Sequence, residues 1–220
     1  MSLWVKICAN TSLADAQLVA DAGADALGFV FAPSPRRVTV EQVAAITPNL
    51  PPQLEKIGVF VETGFHDLAT AVRAAGLTGV QLHSGIAPDL PARLRDEFGA
   101  TLRILRVVHF GPAAATEAAE YAGDPAVDAV LIDSRTATAL GGTGIAFDWD
   151  VASRTIFAGE NGRKLVAAGG LHPENVAEAI GRLRPWGVDV ASGVEASPGR
   201  KHPEKVRAFV ANARAAAQKA

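Results

Sequence analysis

Eight short apolar runs, each closed by Gly, Pro, Ser or Asp and followed by an Ala-rich helical stretch, recur about every 25 residues along this 220-residue chain. That alternation predicts an α/β fold, and eight units predict its closed form, a parallel eight-stranded (β/α)8 TIM barrel. The runs are continuously apolar, as expected of parallel strands covered on both faces. An open doubly wound sheet usually stops at about five or six units. The barrel is compact, since this fold usually takes about 250 residues, and the chain reads as one domain over residues 1–220.

The elements follow in order. Strands are expected at Trp4 to Cys8, Ala26 to Phe31, Lys56 to Phe60, Gly79 to His83, Leu102 to Val107, Ala129 to Ile132, Leu165 to Ala168 and Gly187 to Ala191. The first helix, Leu13 to Ala22, starts after Ser12, with Asp15 three residues on, and stops at Gly23. Helices follow at Val40 to Thr47, His66 to Ala75, Leu90 to Phe98, Pro112 to Ala122 and Trp149 to Phe157. Glu174 to Leu183 comes after Pro173, a residue suited to a first helical position, and Pro203 to Ala216 is the last helix.

Composition narrows the function classes. A net charge of -2 gives no basic field for nucleic acid or an acidic membrane surface. The apolar runs fall far short of the roughly 18 residues of a membrane span, and Met1 to Lys6 has no signal-peptide pattern. The single cysteine, Cys8, excludes an intrachain disulfide and a cysteine-cluster metal site, and fits a reducing cytoplasm.

In a barrel the chemistry sits at the carboxyl ends of the strands, which turns the sequence into a short list. Strand one ends at Lys6-Ile7-Cys8, strand two runs into Arg36-Arg37, strand four ends at His83, strand five near Arg106, and strand six at Asp133-Ser134-Arg135. Cys8 can be a nucleophile, a base once deprotonated, or a small buried hydrophobe. Asp133 can be its acid partner across the mouth or a turn cap. Gly169-Gly170 and Ser192-Gly193, after strands seven and eight, occupy the usual phosphate cradle of this fold, with Val194 to Pro198 as a candidate extra helical turn. Arg36 and Arg37 can grip a carboxylate. Lys6 can support a thiolate or a phosphate, and Asp189 and Glu195 can hold a loop or balance a buried cation. The run from Asp133 to Gly144, with Gly141-Gly142-Thr143-Gly144, can be a loop that closes over substrate.

Ordered motifs then resemble one family over nearly the whole chain. They are Val5-Lys6-Ile7-Cys8, Gly28-Phe29-Val30-Phe31, Ser34-Pro35-Arg36-Arg37, Val80-Gln81-Leu82-His83, Leu131-Ile132-Asp133, Ala168-Gly169-Gly170-Leu171, and Val188 to Glu195 followed by Pro198-Gly199 and Lys201. The chain is similar to the phosphoribosylanthranilate isomerases of tryptophan biosynthesis. That resemblance implies Cys8 as general base, Asp133 as general acid, Arg37 or its neighbour Arg36 at the anthranilate carboxylate, and Gly169, Gly170, Ser192 and Gly193 at the phosphate. It implies an Amadori rearrangement of a phosphorylated small molecule without cofactor or metal, by a cytoplasmic monomer or homodimer. Ala9 and Asn10 stand where the family has glycine and an apolar residue. If that glycine position has positive φ, Ala9 is strained by about 1 kcal/mol or more. Ser84 and Ile145 also depart from the pattern. The rival readings are a phosphometabolite-binding barrel without turnover, the histidine-pathway aminoaldose-ketose isomerase, whose family has aspartate where Cys8 stands, and an aldolase using Lys6.

Overall fold

A computed structural model, which describes residues 3–83, 85–134, 147–158 and 163–219, closes the eight expected strands into one parallel barrel. The strands are β1 (Trp4–Ile7), β2 (Ala26–Val30), β3 (Glu55–Phe60), β4 (Gly79–Leu82), β5 (Arg103–His109), β6 (Ala129–Asp133), β7 (Leu165–Ala167) and β8 (Gly187–Val190). The helices between and after them are α1 (Leu13–Asp21), α2 (Val40–Ile46), α3 (Phe65–Ala74), α4 (Leu90–Phe98), α5 (Ala114–Gly123), α6 (Trp149–Thr155), α7 (Val176–Leu183) and α8 (Pro203–Ala217). Closure comes from β1 pairing with both β2 and β8, with Lys6 opposite Ala26 on one side and Asp189 on the other.

Local chemistry sets the helix starts. Ser12 caps α1 by accepting from the Asp15 N–H, and Thr39 and Gln42 form a reciprocal capping box on α2. The expected start of α7 at Glu174 is corrected. Residues 173–175 form a turn, and the helix begins at Val176 behind Asn175.

Strand alternation sorts side chains between the barrel interior and the helix layer. Trp4, Ala26, Ile57, Leu105, Val107, Ala129, Leu131, Val166 and Ala168 pack together inside the barrel. Lys6 and Cys8, two and four residues beyond Trp4, continue that inward row. At the amino-terminal end Trp4 stacks on Trp186 at 5.2 Å between ring centroids, and Arg103 pairs with Glu55 at 2.7 Å. No described helix is long and apolar enough to cross a membrane.

Candidate active site

Cys8 lies one residue beyond β1, held in place by its N–H donating to the Val190 carbonyl at 2.7 Å. Its thiol and the Lys6 stem need the space that Gly28 leaves on β2. A Cβ there would lie 2.7 Å from Sγ and 3.1 Å from Lys6 Cε. Lys6 is fully buried, and its Nζ donates to Asp189 Oδ1 at 2.9 Å. Burial opposes charge on this ammonium. Asp189 and then Cys8 overcome that opposition and raise its pKa above 10.5. A protonated, ion-paired amine is not a nucleophile, so Lys6 does not suit the Schiff-base role of an aldolase.

A second buried lysine closes the other side of Cys8. Lys201 Nζ donates to the Cys8 carbonyl at 2.5 Å and lies 3.4 Å from both the Ala191 carbonyl and Glu195 Oε1. Burial pushes its pKa down, and Glu195 and Cys8 offset part of that loss. Lys201 lies on a hairpin of β9 (Glu195–Ser197) and β10 (Arg200–Lys201). The expected helical turn over Val194 to Pro198 is therefore corrected: the helical turn is Ser192–Val194, and the chain then extends into β9.

The geometry of the segment after Cys8 explains its residues. Ala9 has φ 64°, the left-handed region that costs an alanine about 1 to 2 kcal/mol. Asn10 is buried, with its Nδ2 donating to the carbonyls of Ile7 at 2.8 Å and Gly28 at 3.2 Å. Its amide stitches the end of β1 to β2.

Three strands away around the barrel, Asp133 is buried at the end of β6, and its backbone carbonyl accepts from the Phe110 N–H at 2.8 Å. Gly169 makes room for it. A Cβ at Gly169 would stand 2.1 Å from Ser134 Oγ and 2.6 Å from Asp133 Oδ1. Beside Asp133 on β5 is its register partner His109, whose ring lies 6.0 Å from that of His83. His83 is steadied by Gln81, Nε2 to Nε2 at 3.1 Å. Strand five runs past Arg106 to His109, which corrects the expectation for that strand. Arg106 turns away from the mouth toward α5, donates to the Tyr121 hydroxyl at 2.8 Å and lies over its ring.

The glycine-rich loops that follow β7 and β8 pack against each other. Gly169 and Gly170 have φ of 77° and 67°, and Asn175 Nδ2 donates to the Gly170 carbonyl at 2.9 Å. Gly193 passes so close to the other loop that a Cβ would fall 1.9 Å from the Leu171 carbonyl oxygen. Gly193→Ala must therefore push one loop off the other. The expected result is a KM raised about tenfold or more and a stability loss of about 1 to 3 kcal/mol. Steady-state kinetics and urea unfolding check both. A variant with unchanged KM would separate this turn from substrate.

The two arginines divide. Arg36 is committed to Glu195, donating from Nε at 2.9 Å and from Nη2 at 2.7 Å, and this partner raises its pKa. Arg37 is exposed and makes no side-chain hydrogen bond or ion pair among the described residues. Arg135, Ser84, Ile145 and the Gly141-Gly142-Thr143-Gly144 segment lie outside the described residues. Among the described residues no group of three or more His, Cys, Asp and Glu side chains could hold a metal ion.

Known proteins resemble this chain in both sequence and fold. A profile of the N-(5'phosphoribosyl)anthranilate (PRA) isomerase family matches residues 5–212. The chain belongs to this family. A relative from Pelobacter propionicus, an N-(5'-phosphoribosyl)anthranilate isomerase, is 43% identical over 207 residues, covering 94% of this chain and 93% of its own. One from Myxococcus xanthus is also 43% identical, over 212 residues, covering 96% and 95%. The solved phosphoribosyl anthranilate isomerase of Thermotoga maritima superposes with a TM-score of 0.83 at 33% identity, covering 97% of this chain and 99% of that one. A further isomerase structure, solved with reduced 1-(o-carboxyphenylamino)-1-deoxyribulose 5-phosphate, has a TM-score of 0.81 at 32% identity, with the same coverage.

Proposed function

We propose that this chain isomerises N-(5'-phosphoribosyl)anthranilate to 1-(2-carboxyphenylamino)-1-deoxyribulose 5-phosphate, a step of tryptophan biosynthesis in the cytoplasm. The observation that carries the site assignment is the placement of Cys8 and Asp133. They sit at the ends of β1 and β6, on either side of the two glycine turns that follow β7 and β8. A phosphate anchored on those turns lies between acid and base, and its remote binding energy holds the sugar in reach of both.

Asp133 protonates the ribose ring oxygen and the ring opens to an iminium. Cys8, as thiolate, takes the proton from the second sugar carbon, and the enolamine tautomerises to the ketone. The iminium itself is the electron sink. Lys6, Lys201 and Arg36 all gain from charge on Cys8, so negative charge on the sulfur has compensating cations on hand. An aspartate at this position would mark the histidine-pathway reaction; the sulfur favours the anthranilate substrate.

Turnover of freshly generated phosphoribosylanthranilate, followed by loss of anthranilate fluorescence, tests the reading. Binding of a product analogue by folded protein without turnover would replace it with the binding-protein alternative. Arg37, exposed and without a side-chain partner among the described residues, holds the anthranilate carboxylate in this reading. Arg37→Ala is expected to raise KM about tenfold to a hundredfold with the fold intact, the value of one charge-assisted hydrogen-bonded contact. Arg36→Ala instead removes the bidentate partner of the buried Glu195, leaving it the longer 3.4 Å contact with Lys201, and lowers the melting temperature. Reversed effects in kinetics and thermal melts would exchange the two roles.

A further inference from the structure

We propose that Lys201 is a positioning residue for the general base: its side chain holds the Cys8–Ala9 peptide in the strained turn that aims the Cys8 thiol into the barrel mouth. The inference rests on the isomerase reading above. A base that takes a proton from carbon must be closely placed, and a shift of about 1 Å can cost about a hundredfold in rate. The turn after Cys8 works against that requirement. Ala9 has φ 64°, a conformation in which its Cβ crowds the following carbonyl oxygen. Such a residue stays there only where its surroundings over-determine it.

The turn is pinned on both sides by backbone bonds. The Cys8 N–H donates to the Val190 carbonyl at 2.7 Å, and the Asn10 N–H donates to the Gly28 carbonyl at 2.9 Å. Between them, the Cys8 carbonyl accepts from Lys201 Nζ at 2.5 Å. Relaxation of Ala9 to negative φ rotates this peptide and swings its carbonyl off the ammonium. The same rotation tilts Cys8, and Sγ then leaves the space over Gly28, where an added Cβ would lie only 2.7 Å from it.

Lys201 is placed to resist that rotation. It is buried, and its three N–H donors have three acceptors: the Cys8 carbonyl, and the Ala191 carbonyl and Glu195 Oε1 at 3.4 Å. Ala191 immediately precedes the Ser192-Gly193 turn, so one ammonium joins the base to a glycine turn of the cradle. The hairpin that carries Lys201 grips the segment again two residues past Ala9. Thr11 Oγ1 donates to the Gly199 carbonyl at 2.6 Å, and the Gly199 N–H donates to Glu195 Oε1 at 3.2 Å. Glu195 is fixed in turn by Arg36. A two-stranded hairpin does not itself call for a buried ammonium. Burial works against this charge, and Glu195 and Cys8 offset part of that loss. Lys201 acts through Cys8 and not on the substrate.

The test is a double-mutant cycle of Lys201→Met and Ala9→Gly, read by turnover of phosphoribosylanthranilate and by thermal melts. Lys201→Met keeps the length of the stem, and Glu195 keeps its bidentate Arg36. In the wild-type background Lys201→Met is expected to lower kcat by about tenfold to a hundredfold, with affinity for reduced 1-(2-carboxyphenylamino)-1-deoxyribulose 5-phosphate within about threefold. Glycine takes positive φ without steric cost, so in the Ala9→Gly background the same substitution should cost about threefold or less. A merely structural lysine would lower the melting temperature equally in both backgrounds and leave kcat unchanged below the transition. Wild-type kcat in Lys201→Met, or an equal kcat loss in both backgrounds, would overturn the positioning role. Lys201→Gln, which keeps a shorter donor, carries the same comparison if methionine prevents folding. Absence of turnover by folded wild type would overturn the isomerase reading, whereas wild-type turnover with equal losses overturns the role of Lys201 alone.

Discussion

Cys8→Ala and Asp133→Asn are each expected to lower kcat by about a hundredfold to ten-thousandfold, the range for removing one positioned acid or base. KM should change little, because neither group holds the phosphate or the carboxylate in this reading. The substitutions are conservative for the fold. Cys8→Ala removes one sulfur from the space beside Gly28, and Asp133→Asn keeps the shape beside Gly169. The double variant should be scarcely slower than the worse single one, since acid and base work on one bond rearrangement and their losses do not add. Anthranilate fluorescence gives the rates, and binding of a product analogue shows that the site is intact. Either single variant keeping more than about a tenth of the wild-type kcat would remove that residue from the mechanism.

The closed barrel was legible in the sequence because parallel strands buried on both faces leave continuous apolar runs, and those runs mark Trp4–Ile7 through Gly187–Val190 within a residue or two at most ends. The positions of Asp133 and Cys8 at the carboxyl ends of strands were legible for the same reason: one follows such a run and the other closes one. Strain at Ala9 was expected only on the condition that this position has positive φ, and the φ of 64° meets that condition. The Lys6–Asp189 pair was only half visible. Asp189 was a candidate partner for a buried cation, but strand pairing across 183 residues named the cation.

What escaped the sequence depends on parity and on long-range closure. Arg106 looked like a strand end, yet β5 continues to His109. Because side chains alternate, residue 106 faces α5 and residue 109 faces the mouth. Lys201 was part of a quoted motif without a role. Its contact with the Cys8 carbonyl spans 193 residues and depends on the β9–β10 turn, where a helical turn was expected nearby. Arg36 and Arg37 are neighbours of one type, and only the bidentate Glu195 partner separates them.

Lys6→Met should be the most destabilising single change at the site, by about 3 to 5 kcal/mol, because it leaves the Asp189 carboxylate in a buried position without its partner. The ammonium contributes evenly across the working pH range. The Lys6 pKa is raised above 10.5, so its contribution is fully present below that value and is lost only as pH climbs through the folded value. A stability profile between about pH 6 and 9 should therefore show no step from this ammonium, and substitution is the way to expose it. Lys6→Met with Asp189→Leu removes both charges and should recover most of the lost stability, since apolar replacement of a buried pair is often neutral. Urea unfolding of the single and double variants checks both statements. A single variant losing less than about 1 kcal/mol, or a double variant no better than the single, would contradict the buried-pair account. The double variant also separates folding from chemistry. Lys6 is charge-coupled to Cys8 as well as to Asp189, so a protein restored in stability should remain slow if this ammonium helps hold charge on the sulfur.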